Sequence, residues 1–207
     1  MLKIGALVSG GGTNLQAIMD AIERDNINAE VVCVVSSKDG AYALERAAKK
    51  NIETAVIKKK DFSTAEEYET ALADYFEQRQ VALIVYAGFM LILGEAFVGR
   101  FENRMINIHP ALIPSFCGKG FYGLHVHEAV LKAGVKVTGA TVHFVTAECD
   151  AGPIILQKAV EVMDDDTPET LQRRVMEQAE WIIYPEAVRL FAEDKLEIKD
   201  GKVRRKQ

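Results

Sequence analysis

Asn107-Ile108-His109-Pro110 sets a side-chain amide and an imidazole two residues apart. If the apolar run from Met105 to Ile108 is a strand, side chains alternate along it. Asn107 and His109 then project to the same side at its carboxyl end, where open α/β sheets hold their ligands. An amide that donates and an imidazole that titrates near neutrality can stabilise a developing oxyanion and handle a proton. The same spacing also suits a turn-capping asparagine followed by a structural histidine, and the pattern alone does not choose. Asp150, within Glu148-Cys149-Asp150-Ala151-Gly152-Pro153, is the candidate third member. Its Gly-Pro neighbours equally fit an ordinary turn aspartate. Nothing in the sequence brings it to His109. If it lies there, its carboxylate favours the imidazolium and should raise the His109 pKa, as a general acid needs.

A second candidate site is Ser9-Gly10-Gly11-Gly12-Thr13-Asn14, where consecutive glycines end the apolar run Leu2 to Val8. Leu15, Ile18, Met19 and Ile22 then recur at helical spacing, and Thr13 with Gln16 reads as a capping box. A strand, a glycine turn and a helix start place backbone N–H groups at the positive end of a helix dipole, a seat for phosphate. The glycines lack the G-x-G-x-x-G spacing and the lysine of a Walker loop, so a single phosphate monoester fits better than a dinucleotide or triphosphate. The bland alternative is a tight turn and nothing more.

The elements that must position these residues follow an alternating rhythm. Val31 to Val35, Thr54 to Ile57 and Val81 to Ala87 read as strands, with helices over Ala41 to Lys50 and after a Ser63/Glu66 capping box, whose apolar stripe is Tyr68, Ala71, Leu72, Tyr75 and Phe76. The continuous runs Val81 to Ala87 and Met105 to Ile108 belong at the centre of a sheet covered on both faces. Pro110 to Gly123 is a long aperiodic loop, for which function is the favoured reading. Glu128 to Ala133 reads as a helix, Val137 to Thr146 and Ile154 to Val162 as strands, and Thr167-Pro168-Glu169 opens a long helix that Pro185 should kink. The fold expected is α/β: a Rossmann-like three-layer αβα arrangement with a mostly parallel central sheet and antiparallel strands towards the C-terminal part.

With 207 residues, 49% of them hydrophobic, the chain suits one compact domain. The longest apolar run, Val81 to Leu93, falls short of the ~20 residues that span a membrane, and no export signal is visible, so the cytoplasm is the expected compartment. Cys33, Cys117 and Cys149 are odd in number and too scattered for a zinc knuckle or redox pair. They read as reduced thiols. His125 and His127, spaced i, i+2, would face one way only on a strand, and no metal site is expected. A net charge of −5 gives no electrostatic footprint for nucleic acid. The basic cluster Lys202 to Lys206 reads as a solvated terminus.

Taken together, Ser9-Gly10-Gly11-Gly12-Thr13-Asn14-Leu15-Gln16, Ala87-Gly88-Phe89-Met90, Asn107-Ile108-His109-Pro110 with Leu112-Ile113-Pro114-Ser115, Gly139-Ala140-Thr141-Val142-His143 and Asp150-Ala151-Gly152-Pro153 resemble the phosphoribosylglycinamide formyltransferases, a branch of the folate-dependent formyltransferase family. The likeness runs from about residue 2 to Phe191. It implies one formyltransferase domain over 1–207: a phosphate-binding half over 1–103, a catalytic and folate-binding half over 104–193, and a tail over 194–207. It implies formyl transfer from 10-formyltetrahydrofolate, as co-substrate, to the amine of glycinamide ribonucleotide. By the same resemblance Asn107 and His109 stabilise the oxyanion, and Asp150 holds His109 charged and relays the proton. Gly12, Thr13, Asn14, Leu15 and Gln16 hold the substrate phosphate, with Glu177 and chiefly Glu180 near its ribose. Met90, Leu91, Ile92 and Leu93, Asn107, and Thr146, Ala147, Glu148, Cys149 and Asp150 line the pterin pocket. A monomer or homodimer is implied, without nucleic-acid or membrane partners. Where some members place a folate-touching arginine, this chain has Ala65, and Cys117 carries no assigned role. The competing readings are a formyltetrahydrofolate deformylase, a methionyl-tRNA formyltransferase and a non-catalytic nucleotide-binding protein.

Overall fold

A computed structural model describes residues 1–206. Its strands are β1 (Leu2–Val8), β2 (Ala29–Ser36), β3 (Glu53–Val56), β4 (Leu83–Tyr86), β5 (Met105–His109), β6 (Val137–Phe144), β7 (Ile154–Glu161), β8 (Leu196–Lys199) and β9 (Lys202–Arg205). They hydrogen-bond as one seven-stranded sheet in the order β3-β2-β1-β4-β5-β6-β7, with β8 and β9 as a separate pair. Strands β1 to β5 are parallel, whereas β6–β7 and β8–β9 are antiparallel. The expected mostly parallel sheet with antiparallel strands late in the chain is therefore what forms. The chain divides into two compact units, Met1–Asn107 and the part from Ile108 onward.

In the first unit, helices α1 (Thr13–Arg24), α2 (Tyr42–Lys49), α3 (Ala65–Gln78) and α4 (Glu95–Arg100) connect the parallel strands. Strand β4 is buried at every position, as a continuous apolar run requires when both faces are covered. Helix α1 buries Leu15, Ile18, Met19 and Ala21, each large side chain contributing about 1.5–3 kcal/mol by leaving water. Its start differs from expectation. Thr13 makes no capping box; the N-cap is Gly12, in the left-handed region at φ 70. A Cβ at Gly12 would sit 2.5 Å from that of Ala43, so close packing on α2 and the positive φ both select glycine. At α3 the capping box lies one residue later than expected, between Thr64 and Glu67.

The second unit contains α5 (Leu124–Ala133), α6 (Pro168–Val175) and α7 (Trp181–Ala192). Helix α5 begins four residues before the expected Glu128, so His125 and His127 are helical and diverge rather than facing one way along a strand. Helix α6 is capped by Thr167, reciprocally with Thr170, and has Pro168 in its first turn. Ahead of it, the Asp166 carboxylate accepts from the Met163 N–H and the Thr170 hydroxyl and pairs with Arg174. A π turn, Met176–Glu180, separates α6 from α7. It ends just before Trp181; Pro185 lies inside α7, where the helix continues although proline has no N–H to offer the Trp181 carbonyl. The basic cluster is solvated as expected, with Lys202, Arg204 and Arg205 exposed, but it is ordered: Lys202 to Arg205 form β9, with Val203 registered against Ile198.

Gly139 offers a sharp test of the β6–β7 pairing. A Cβ there would lie 2.0 Å from the Lys158 carbonyl oxygen and 2.9 Å from Leu112 Cδ2. Because the nearest obstacle is backbone, Gly139→Ala should destabilise the fold by about 1–3 kcal/mol or more, measured as a lowered denaturation midpoint in urea. Unchanged stability would refute the close approach.

Candidate active site

His109 ends β5, and the chain leaves it as the aperiodic loop expected from 110 to 123, which includes a cis Ile113–Pro114 bond. The loop doubles back. His109 Nε2 donates to the Phe116 carbonyl at 2.8 Å, and the Gly118 N–H donates to Asp150 Oδ2 at 2.9 Å. Asp150 thereby comes to His109, with Nδ1 3.5 Å from Oδ2. Its other oxygen, Oδ1, lies 3.6 Å from His143 Nε2. The His109 and Asp150 side chains are 4% and 9% exposed, so the pair interacts with little solvent screening.

Burial works to raise the Asp150 pKa, but the hydrogen bond from His143, the His109 charge and the Gly118 N–H outweigh it and hold the carboxyl at about 2. Asp150 is an anion at neutral pH. For His109 the balance corrects the expectation. Burial pulls its pKa below the ordinary value, with His143 adding to that pull, and the upward effects of Asp150 and the Phe116 carbonyl do not overcome it. A carbonyl can only accept, so Nε2 carries the hydrogen and Nδ1, facing the carboxylate, is where a proton adds. At neutral pH the pair is a neutral imidazole beside an ionised acid, suited to accepting a proton first and returning it afterwards.

Asn107 stands two residues before His109 in β5, hence on the same side by strand alternation, and is part-buried. His143 was not singled out from the sequence as a site residue. The signal available was Thr141-x-His143 in a β-branched run, which gives a buried strand the same period-two pairing as Asn107-x-His109. Its Nδ1 donates to the Phe144 carbonyl at 2.8 Å. Thr146, Ala147, Glu148 and Cys149 form the exposed turn before Asp150, where the Thr146 hydroxyl donates to the Glu148 carbonyl.

At the glycine turn, α1 has neither a side-chain cap nor an acidic first turn. Arg46 Nε donates to the Gly11 carbonyl at 2.8 Å and its Nη1 to Gln16 at 3.2 Å, adding a cation to the helix start. Met90 and Ile92 are 53% and 62% exposed, whereas Leu93 is buried; the Met90 N–H donates to the Ser9 hydroxyl. Within the π turn Glu180 is buried, while Glu177 is exposed and paired with Arg173. Among the described residues no group of three His, Cys, Asp or Glu side chains could hold a metal, and no helix is long and apolar enough to cross a membrane.

A glycine turn closes the first strand of the parallel sheet and a buried His-Asp pair stands at the end of a central strand, features of an α/β enzyme whose chemistry moves a proton. Residues 2–188 match the model of the formyl transferase family. The chain is 42% identical over 201 residues to phosphoribosylglycinamide formyltransferase of Haemophilus influenzae, covering 97% of this chain and 92% of that protein. It is 43% identical to the trifunctional purine biosynthetic protein adenosine-3 of Gallus gallus, covering 98% of this chain but 20% of that longer protein. Among solved structures, glycinamide ribonucleotide transformylase 1 of Symbiobacterium toebii superposes with a TM-score of 0.94 at 42% identity, over 100% of this chain and 95% of that one. The chain belongs to the formyl transferase family and is a transferase.

On α5, His125 is exposed and contacts Glu128, whereas His127 is fully buried with neither ring nitrogen hydrogen-bonded. Burial, with a smaller push from His109, lowers the His127 pKa to about 4. From pH 6.5 down to about 4 the unfolded chain binds a proton there that the folded chain refuses. Stability should therefore fall as pH falls through that window, by up to about 3 kcal/mol from this residue. Asp150 acts at lower pH, its contribution being lost from the ordinary carboxyl value down towards 2. In His127→Phe, urea titrations between pH 6.5 and 4 should show a flatter pH slope than wild type; an identical slope would exclude this assignment.

Proposed function

We propose that this chain transfers the formyl group of 10-formyltetrahydrofolate to the amine of N1-(5-phosphoribosyl)glycinamide in de novo purine synthesis. The observation that carries this reading is the buried His109–Asp150 pair, in a family member whose full-length relatives bear the corresponding name. The amine nitrogen attacks the formyl carbon, forming one C–N bond while the carbonyl oxygen gains negative charge. The Asn107 amide donates to that oxygen, and His109 stabilises it by the charge it gains on protonation. The ammonium proton passes to the His109–Asp150 pair, where the anionic carboxylate stabilises the imidazolium as it forms. The proton then goes to N10 of the folate as the second C–N bond breaks, so nothing is consumed beyond the two substrates.

Gly12, Thr13, Asn14, Leu15 and Gln16 seat the phosphate, a role supported by the uncapped start of α1 and by Arg46. Glu177 and Glu180 serve the ribose, with Glu180 the principal contact. Met90, Leu91, Ile92 and Leu93, with Asn107 and Thr146, Ala147, Glu148, Cys149 and Asp150, take the pterin. Exposed Met90 and Ile92 supply apolar surface that a flat heterocycle would cover. We read the chain as one catalytic domain acting in the cytoplasm as a monomer or homodimer, with small-molecule partners only.

His109→Ala and Asp150→Asn should each lower kcat by about 10²–10⁴-fold with the circular dichroism spectrum unchanged. Full turnover in either variant would remove the assigned pair. With both substrates present, wild-type enzyme should yield formylglycinamide ribonucleotide; formate as the sole product would establish a deformylase instead. Inorganic phosphate should inhibit competitively against the ribonucleotide and much more weakly against the folate, and equal inhibition against both would displace the phosphate from the glycine turn.

A further inference from the structure

Gln157 on β7 lies directly opposite Thr141 on β6 in the antiparallel register. Their side chains form a latch on the loop that follows His109. The Gln157 amide nitrogen uses both hydrogens, donating to the Ile113 carbonyl at 2.9 Å and to Thr141 Oγ1 at 3.0 Å. Thr141 Oγ1 in turn donates to the Ala111 carbonyl at 2.7 Å and accepts from the Ile113 N–H at 3.1 Å. Thr141 is fully buried. The backbone of residues 111–113 is thus fixed by three hydrogen bonds to two side chains, which a fourth bond ties to each other.

Three residues further on, Phe116 adopts φ 50 and presents its carbonyl to His109 Nε2. That bond sets which nitrogen carries the hydrogen and which one faces Asp150. The loop between His109 and Phe116 is therefore held at its middle by the latch and at its end by the imidazole it orients. Were the 111–113 backbone free to drift, the Phe116 carbonyl would have no fixed position, and a buried imidazole could exchange tautomers. A misplacement of about 1 Å far from the reacting atoms costs on the order of 10²-fold in rate.

We propose that Gln157 is a positioning residue for the reaction, acting through Thr141 and the 111–116 backbone to hold the His109 ring with its hydrogen on Nε2 and its Nδ1 towards Asp150. This rests on the assignment of His109 to the chemistry. Gln157 itself touches no reacting atom.

The test compares wild type with Gln157→Leu and Gln157→Met, each lacking the two donors, and with Thr141→Val and the Gln157→Leu/Thr141→Val double variant, all checked for folding by circular dichroism. Each single variant should lose about tenfold in kcat while KM for either substrate changes by less than about twofold. The double variant should lose little more than the worse single one, since both act through one backbone segment. The ¹⁵N chemical shifts of the His109 ring should move from a fixed Nε2–H pattern in wild type towards averaged values in each variant. Folded Gln157 variants with full kcat, or with unchanged His109 shifts despite slower turnover, overturn the proposal, as does a double variant whose losses multiply. His109→Ala is assayed alongside. If it stays active, the catalytic assignment itself fails; if it is inactive while Gln157→Leu behaves as wild type, only the positioning role is lost.

Discussion

A carboxylate kept ionised inside the protein is the constraint around which the catalytic unit is arranged. Removing a charge from water costs several kcal/mol, and Asp150 meets that cost with the Gly118 N–H and with His143, while it faces His109 Nδ1, where its charge favours an incoming proton. Each partner comes from a different part of the chain. β5 delivers His109, β6 delivers His143, and the loop after His109 curls back to offer Gly118. Loop, strands and acid are mutually dependent, and this explains how a long segment without regular structure keeps a defined path.

That arrangement also gives the two titrating groups opposite characters. Asp150 is pushed towards the charged form by its neighbours, and His109 towards the neutral form by burial. The proposed reaction, in which the attacking amine gives up a proton to this pair, needs this order. An imidazole already charged before substrate arrived would have no vacant nitrogen beside the acid.

Much of the architecture was legible because it depends on short-range patterns. Apolar runs bounded by glycine and charge marked β1, β4 and β5, and Thr167-Pro168 marked the start of α6. Errors arose where tertiary packing overrode local preference. Thr13 looked like a cap, but the approach of Ala43 gave the position to Gly12; Ser63 yielded to its neighbour Thr64. The start of α5 was hidden by Gly123 and by histidines that read as well in a strand. The C-terminal hairpin was hidden by its charge, since only Val203 against Ile198 betrays a second strand. In the site, Asn107 and His109 were visible as a spacing. The meeting of His109 with Asp150 was not, because it is made by a loop closure that no periodicity encodes. The lowered His109 pKa escaped for a related reason: the acid partner is visible once placed, whereas depth of burial is a property of the whole fold.

The π turn between α6 and α7 has a consequence for how sequences of this kind can vary. In a regular α-helix, residues three apart share a face, yet Glu177 points to solvent and Glu180 is enclosed. A π turn amounts to one extra residue spliced into a helix, and each α-helical residue advances the backbone by about 100°. Deleting one residue between 176 and 180 would close the wide turn to an ordinary α-helical one, and because the bulge already absorbs that residue, α6 and α7 would largely keep the faces they present. The extra residue thus acts locally: it widens one turn and sets how residues 176–180 are placed, without re-registering the helices on either side.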